Sequence, residues 1–215
     1  MSVFDVLDQS SERESRGRRI YGVMIGLVTN NQDPEKLGRV KVKFPWLSDV
    51  DESGWARIAA PMAGKERGFF FLPEVDDEVL VAFEHGDPCF PYVLGAMWNG
   101  KDAPPLTNDD GKNNVRMIKS RSGHTVKLND EDGKETIEIV DKSQKNSIVI
   151  DTSKNTITVT TDQDITLSAA KGTIKLDAQS VEISSSGATK LKAGSSMNVE
   201  ASATMTVKGS TVNIN

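Results

Sequence analysis

The last third of the chain carries a short apolar repeat, and this repeat limits the possible folds more than any other feature. Apolar pairs separated by one residue recur there, with first members at positions 148, 157, 165, 174, 181, 189, 197, 205 and 212. The eight steps cover 64 residues, a mean of eight residues per step. Thr189 and Leu191 form a weak copy, because the first member is polar. A fixed short period is typical of repeat architectures.

Within each repeat the apolar residues alternate with polar ones, which places both members of a pair on one face of a strand. Small and polar residues lie between the pairs and suit turns and solvent-facing positions. The chain has no proline after Pro105 and no aromatic residue after Trp98. We therefore expect residues 148–215 to form a stack of thin β-rungs, one for each octad.

A single chain buries such rungs poorly, because each octad offers two inward apolar residues and a short strand with two open edges. One solution is a solenoid with about three octads per coil. The other is an intertwined homotrimer, in which each octad forms one wall of a triangular prism and pairs with neighbouring chains. We favour the trimeric, triple-stranded β-helix.

Composition limits the other function classes. The chain has 215 residues, a net charge of −5 and a pI near 5.2, whereas nucleic-acid-binding proteins are usually basic. The single cysteine, Cys89, excludes an intrachain disulfide framework. Acidic residues interrupt the only apolar patch of the N-terminus, so we expect no secretory signal there and assembly in the cytoplasm.

Five segments follow one another in the predicted organisation. They are an N-terminal arm (1–19), a small β-barrel (20–100), a Pro- and Asn-containing linker (101–112), a transitional hairpin (113–147) and the octad needle (148–215). The barrel is predicted from several short apolar strands with Gly and Pro between them. The arm carries an apolar anchor that we expect to bind a partner, formed by Val3, Phe4, Val6 and Leu7.

No candidate for catalysis or metal binding is convincing. Glu74, Asp76, Asp77 and Glu78 are better explained as a solvated turn than as an acid–base site. His85 and Cys89 lack the further ligands that a zinc site needs, and they lack the orienting group that a nucleophilic pair needs. His124, the second histidine, lies 39 residues from His85. We predict no catalytic residue, no metal and no cofactor.

One segment of the barrel could alternatively bind nucleic acid. Basic residues alternate along a predicted strand that is followed by a tryptophan: Arg39, Lys41, Lys43 and Trp46. Cations and aromatics of this kind bind single strands in some OB-fold barrels. The competing interpretation is an outward-facing strand that contacts a neighbouring subunit, and the acidic net charge favours it.

An ordered series of motifs resembles the spike proteins of contractile phage tails and related injection machines, namely the phage baseplate assembly protein V and Vgr families. The series begins with DPEKLGRVKVKFPW (33–46), WARIAAPMAG (55–64) and GFFFLPEVDDEVLVAF (68–83). It continues with EHGDP (84–88), KSRSGHTVKLND (119–130) and the octads. The resemblance covers roughly residues 20–215.

The resemblance implies an all-β chain, with an OB-fold barrel followed by an intertwined trimeric β-helix needle. It implies a structural, non-enzymatic central spike that links a hub to a tip protein and pierces the target envelope when a sheath contracts. The expected partners are two further copies of the chain, a separate hub, a small tip protein and effectors or cargo, with transient contact with the target membrane and no nucleic acid. Such a spike acts in a phage or phage-tail-like particle, outside the cell or at the target surface.

The needle's end yields a further expectation. Some members of the resembled family end in a histidine-rich apex that holds iron, whereas this chain ends KGSTVNIN without a strong metal ligand. Apolar octad positions continue almost to the last residue, and uncapped repeats expose strand edges. We expect a tip protein to bind five residues there: Thr211, Val212, Asn213, Ile214 and Asn215.

Overall fold

The structure is a computed structural model that describes residues 19–48 and 50–214. It divides after Thr160 into two units. The first contains every strand, and its only helical element in the described residues is a single 3-10 turn at Glu84–Gly86. In the described part of the chain, no helix is long and apolar enough to cross a membrane. The all-β class predicted from the sequence is confirmed.

A curled five-stranded sheet forms the first half of the first unit. Its strands are β1 (Val23–Asn30), β2 (Lys41–Lys43), β3 (Arg57–Ile58), β6 (Glu78–Phe83) and β7 (Pro91–Ala96), in the order β2-β1-β6-β7-β3. All neighbours are antiparallel except β3 and β7. The two edges meet where Val40 and Ala56 exchange backbone hydrogen bonds of 3.0 and 2.8 Å. This arrangement confirms the OB-like barrel sheet expected from the motifs.

Buried and half-exposed side chains alternate along the barrel strands, and the buried ones form the core. In β6 the side chains of Val79, Val81 and Phe83 are buried, whereas those between them are half-exposed. They pack with residues from the other strands: Val28, Val40, Val42, Phe44, Ala56 and Val93. Burial of each large side chain stabilises the fold by about 1.5–3 kcal/mol. Valine dominates because a β-branched side chain fits a pleated, crowded interior.

The barrel has two distinguishable ends. The described chain enters at one of them, where the N–H of Ile20 donates to the carbonyl of Gly86 at 2.7 Å. It leaves at the other, where the N–H of Met97 donates to Glu78 at 2.8 Å. A short separate hairpin, β4 (Ala63–Gly64) and β5 (Arg67–Gly68), precedes the extended residues 69–73. Phe70 in that stretch lies near Gly38.

A second five-stranded sheet follows the linker. Its strands are β8 (Val115–Lys119), β9 (Thr125–Asn129), β10 (Thr136–Val140), β11 (Ser147–Asp151) and β12 (Thr156–Thr160). They form an antiparallel meander with sequential neighbours and no register shift. The apolar pairs 126/128 and 137/139 therefore lie in β9 and β10, and the first two octad pairs lie in β11 and β12. Asn155 bridges β11 and β12 with a positive φ of 53°, which asparagine tolerates better than most residues.

The second unit, from Thr161 onward, has no strand among its described residues. Bends begin at positions 162, 170, 179, 186, 194, 202 and 210, so six intervals cover 48 residues and average eight. Six stretches of six residues each, without a bend or turn, lie between them: 164–169, 173–178, 180–185, 188–193, 196–201 and 204–209. We call these the hexads. The octad period of the sequence is thus also a period of the backbone, although a β-helix is not formed by the single chain.

Candidate partner-binding surfaces

The meander exposes an apolar face. Alternation and register place nine apolar side chains on the same side of the sheet, in two rows that cross its strands. The first row is Ile118, Val126, Ile139, Ile148 and Val159, and the second is Leu128, Ile137, Ile150 and Ile157. Their exposed fractions run from 37% to 71%. A monomeric soluble protein rarely leaves so continuous an apolar face in water, so this face indicates a binding surface.

The opposite face of the meander is mostly polar and half-buried in β8 to β11, and it includes Val115, Met117, Val140 and Val149. Lys127 and Glu138 lie opposite each other there, with 2.9 Å between Nζ and Oε2. Thr136 donates to the same carboxylate from its hydroxyl at 2.8 Å. The sheet is therefore strongly two-sided, and its apolar side is the side that nothing in the described chain covers.

The hexads extend the same pattern. Their second and fourth residues are apolar apart from Thr189, and they remain open to solvent in the single chain. Second-position side chains are 50–57% exposed and fourth-position side chains are 65–73% exposed. Among the described residues from Thr161 onward, the Gly172 N–H donates to the carbonyl of Ala169 at 3.2 Å, and the N–H groups of Gln163 and Gly187 donate to nearby side-chain hydroxyls. The apolar side chains of the hexads remain exposed, and the hexads lack the ladder hydrogen bonds of a sheet.

The predicted tip-binding residues lie at the end of this unit. Thr211 lies in the last bend, and Val212, Asn213 and Ile214 follow it and are exposed. Asn215 lies outside the described residues. The structure brings these residues together only through their sequence adjacency.

Surface clefts occur at the barrel end where the described chain begins. One of about 140 Å³ is lined by Ile20, Phe44, Leu47, Phe83 and Pro88, among others. Another of about 300 Å³ lies beside Arg19, Glu84, His85, Asp87 and Phe90. The side chains of Tyr21, Leu47 and Phe90 are exposed around this end. The predicted anchor residues Val3, Phe4, Val6 and Leu7 lie outside the described residues, which begin at this end of the barrel.

The basic strand considered for nucleic-acid binding is largely neutralised by carboxylates. Arg39 forms a two-pronged ion pair with Asp33 and lies 3.3 Å from Glu35. Lys41 pairs with Glu52 at 3.2 Å. Two of the three predicted cations therefore have acidic partners, and the patch offers little uncompensated positive charge to a phosphate backbone.

The aromatic residues near that strand also serve the barrel itself. The cationic groups of Arg39 and Lys41 lie 5.9 and 5.7 Å from the ring centroid of Trp55. Trp46 remains 48% exposed and packs its ring against Phe44 at a centroid distance of 6.1 Å. Trp55, which the sequence interpretation did not single out, is therefore the aromatic residue that these cations contact.

The other polar residues singled out in the sequence are dispersed. Glu74 forms an ion pair with Arg121, with 2.8 Å between Oε2 and Nη1, and this pair joins the barrel to the β8–β9 turn. His124 accepts from the Lys142 N–H at 3.2 Å. The Asp87 carboxylate, which accepts a hydrogen bond from Cys89, raises the pKa of that exposed thiol and so disfavours its nucleophilic form. Within residues 19–48 and 50–214, no three His, Cys, Asp or Glu side chains are placed to hold a metal ion.

Sequence reasoning missed one exposed aromatic cluster, formed by Phe69, Phe70 and Phe71. These side chains are 52%, 81% and 64% exposed, and the rings of Phe69 and Phe71 stack with centroids 6.3 Å apart. A signal was available, because successive residues of an extended chain point to opposite sides. Three consecutive phenylalanines therefore cannot all enter one core.

Comparison with known proteins gives these surfaces a family context. Residues 24–98, which include most of the barrel, match the family described as the type VI secretion system/phage-baseplate injector OB domain. The barrel belongs to this family of injector OB domains. The family resemblance predicted from the motifs is thereby confirmed.

Spike proteins from two bacteria are similar in sequence to this chain, and the similarity extends beyond the barrel segment. The type VI secretion system spike protein VgrG3 of Vibrio cholerae is 35% identical over 102 residues, which are 44% of this chain and 10% of that protein. The spike protein VgrG1a of Pseudomonas aeruginosa is 28% identical over 162 residues, 70% of this chain and 25% of that protein.

A third relative carries a toxin name. The actin cross-linking toxin VgrG1 of Vibrio cholerae is 32% identical over 131 residues, 55% of this chain and 12% of that protein. The chain with the injector OB domain thus spans only a tenth to a quarter of the length of these three relatives.

Proposed function

We propose that this chain is the structural, non-enzymatic central spike of a contractile, phage-tail-like injection system. The observation that carries the proposal is the apolar face of the meander together with the hexads that continue its pattern. These surfaces are joined to an injector OB domain, and the matched relatives named VgrG3 and VgrG1a are spike proteins.

Three copies of the chain complete the fold in this proposal. The rows of Val126, Ile139 and Ile148 and of Leu128, Ile137 and Ile150 turn towards a common three-fold axis. The hexads of three chains then wind together into a triple-stranded β-helix needle that follows the meander in the chain. Burial of the apolar side chains supplies the driving force, and pairing between chains satisfies the open backbone groups.

The proposed spike has a direction. The barrel end that carries Ile20 and the clefts around Phe90 faces a separate hub, and Val3, Phe4, Val6 and Leu7 of the arm bind it. The opposite end leads through the linker to the needle, whose last residues, 211–215, bind a small tip protein. Sheath contraction drives the particle forward, and the narrow needle concentrates the force on the target envelope.

Polar side chains suit this mechanical role. The first, third and fifth positions of the hexads are occupied by Thr, Ser, Asn, Lys, Asp and Glu, with Ala at position 188, and these residues keep the shaft hydrated. Closed three-fold pairing leaves no lateral strand edge along the shaft, and an edge-free β-structure resists both aggregation and shear. The spike is assembled in the cytoplasm and acts in an extracellular particle or at the target cell surface.

Light scattering on the purified full-length chain tests this proposal. We expect a particle of three times the 23.4 kDa chain mass, whose size does not change on dilution into the low micromolar range. A folded monomer would overturn the intertwined arrangement. Circular dichroism should show more β-structure than the twelve strands found in residues 19–48 and 50–214 of the single chain account for.

An OB-fold nucleic-acid-binding protein with a trimerising stalk is the second candidate function. Lys43 and the exposed ring of Trp46 are the features that favour it. Its test is titration of a fluorescent single-stranded oligonucleotide at low and high salt. Affinity that falls steeply with salt supports nucleic-acid binding, and no binding at low salt excludes it.

A further inference from the structure

Thr189 occupies an apolar position of the backbone repeat. The second residues of the six hexads are Ile165, Ile174, Val181, Thr189, Met197 and Met205, in chain order. Leu191, two residues further on, is 73% exposed and so matches the fourth-position residues of the other hexads. The hexad 188–193 therefore has the same local conformation as its neighbours, and Thr189 is placed where they carry Ile, Val or Met.

The repeat creates a problem of alignment for three winding chains. Consecutive hexads have the same length and the same apolar positions, so a chain displaced by one octad still presents apolar side chains to its neighbours. The displacement leaves an eight-residue loop, and closing a loop of that length costs little conformational entropy. In the octads that remain paired, apolar packing alone therefore contributes little to the free-energy difference between the aligned and the displaced register.

Thr189 makes the aligned register distinguishable from the displaced ones. In an aligned trimer, the three Thr189 hydroxyls meet at one level of the axis, where each donates to the next and accepts from the previous one. In a displaced chain, the hydroxyl instead faces Val181 or Met197, which offer no conventional hydrogen-bond partner. A buried hydroxyl without a partner is costly, whereas a paired one is tolerated.

We propose that Thr189 sets the register of the three chains in the needle; this inference rests on the trimeric spike proposed above. A single polar residue at an otherwise apolar core position has this effect in coiled coils, where it selects alignment at a cost in stability. The same logic applies to the hexads because their repeat is equally degenerate.

The experiment reports the alignment of the chain ends. Cys89 is replaced by Ser, and a cysteine introduced by Asn213→Cys, at the third residue from the end of the sequence, is labelled with pyrene. In aligned trimers the three labels lie at one level and form excimers. Thr189→Val should remain a trimer with an equal or higher melting temperature. Its excimer-to-monomer ratio should fall, because displaced registers are no longer disfavoured by an unpaired hydroxyl and gain population.

Three further variants sharpen the result. Thr189→Ser keeps the hydroxyl and should keep the parental ratio. The double variant Thr189→Val/Val181→Thr moves the polar level by one octad and should restore the ratio. Thr166→Val, at the third position of its hexad, is the matched control and should change nothing.

An unchanged excimer ratio in Thr189→Val would overturn the inference. So would loss of the trimer in that variant, since an apolar residue fits every other second position. Failure of the proposed spike function is distinguishable, because the parental protein would then be monomeric by light scattering before any substitution at position 189.

Discussion

The carboxylate of Asp33 and the guanidinium of Arg39 form a two-pronged pair, with Nε–Oδ2 and Nη2–Oδ1 distances of 2.8 Å each. The same carboxylate accepts the backbone N–H groups of Glu35 and Leu37 at 3.0 Å. One side chain thus holds the whole turn that leads into β2. The Asp33 side chain is only 3% exposed, so the charge depends on these partners for its stabilisation.

This pair predicts acid sensitivity of the barrel. Hydrogen bonds from Arg39, with those from the turn amides, hold the pKa of Asp33 well below its ordinary value of 3.8. A lowered pKa means that the stabilisation is complete above about pH 4 and is lost as the pH falls below it. Tryptophan fluorescence of guanidinium unfolding, measured from pH 7 down to 3, should show stability falling below pH 4.

Asp33→Asn gives the decisive comparison for this prediction. The variant should be less stable than the wild type at pH 7, and its stability should change less with pH below 4. Asp132→Asn, at an exposed turn of the meander, is the control and should leave the tryptophan-detected profile unchanged. A wild-type and an Asp33→Asn profile that remain parallel down to pH 3 would contradict the assigned role of the pair.

Gly26→Ala should destabilise the barrel. A Cβ at this position of β1 would lie 2.7 Å from Cγ1 of the buried Val42 and 3.3 Å from the Lys43 carbonyl. Overpacking of this kind costs about 1–3 kcal/mol. Denaturant unfolding followed by tryptophan fluorescence measures it, since Trp46, Trp55 and Trp98 all lie in the predicted barrel segment.

Gly95→Ala is the matched control for that substitution. Gly95 also lies in a strand, β7, but no atom lies within 4 Å of its added Cβ. Its midpoint of unfolding should stay close to that of the wild type or rise slightly. Equal losses in the two variants would show that backbone propensity, rather than the close approach to Val42, determines the effect.

Ile165→Asp or Ile174→Asp should disrupt the proposed needle. Each places three carboxylates around one axis, which costs several kcal/mol per buried charge. Thr166→Asp and Lys175→Asp, at the neighbouring outward positions, should cost little. Thermal unfolding and light scattering compare the two classes. Equal melting temperatures would mean that the apolar hexad positions do not face inward.

Replacing Val3, Phe4, Val6 and Leu7 with serine should weaken binding to the proposed hub protein while leaving the proposed trimer intact. Four apolar side chains contribute several kcal/mol if buried, so the dissociation constant should rise by at least about tenfold. Biolayer interferometry with the immobilised hub measures the change. Unchanged affinity would exclude a hub-binding role for the arm.

Deleting residues 211–215 should abolish binding of the proposed tip protein. The intact trimer and the truncated trimer are each titrated with the purified tip protein. The shortened needle should keep its trimeric mass, because the remaining octads are unaltered. Full binding by the truncated trimer, or no binding by the intact trimer, would contradict the proposed contact.

The barrel and the needle were predictable from sequence to different extents. In β6, alternation in EVLVAF was sufficient to place Val79, Val81 and Phe83 in the core, because burial and strand period agree. The exchange of hydrogen bonds between Val40 and Ala56 was not predictable, since isolated bridges leave no periodic signal. In the hexads, local sequence determines bends and apolar faces, but pairing depends on other chains. The needle therefore stays a prediction.

The constant length of the hexads has an evolutionary consequence. Insertion or deletion of eight residues between Asp164 and Gly209 adds or removes one complete unit, and each flanking unit keeps its own bend and its own apolar positions. Length can therefore change in whole steps by ordinary replication slippage in the gene, without an intermediate that disturbs the fold. A loss or gain of an odd number of residues inside a hexad shifts the alternation and turns the apolar side chains outward. Selection can therefore change the number of repeat units, and with it the length of the proposed needle, while each unit keeps its structure.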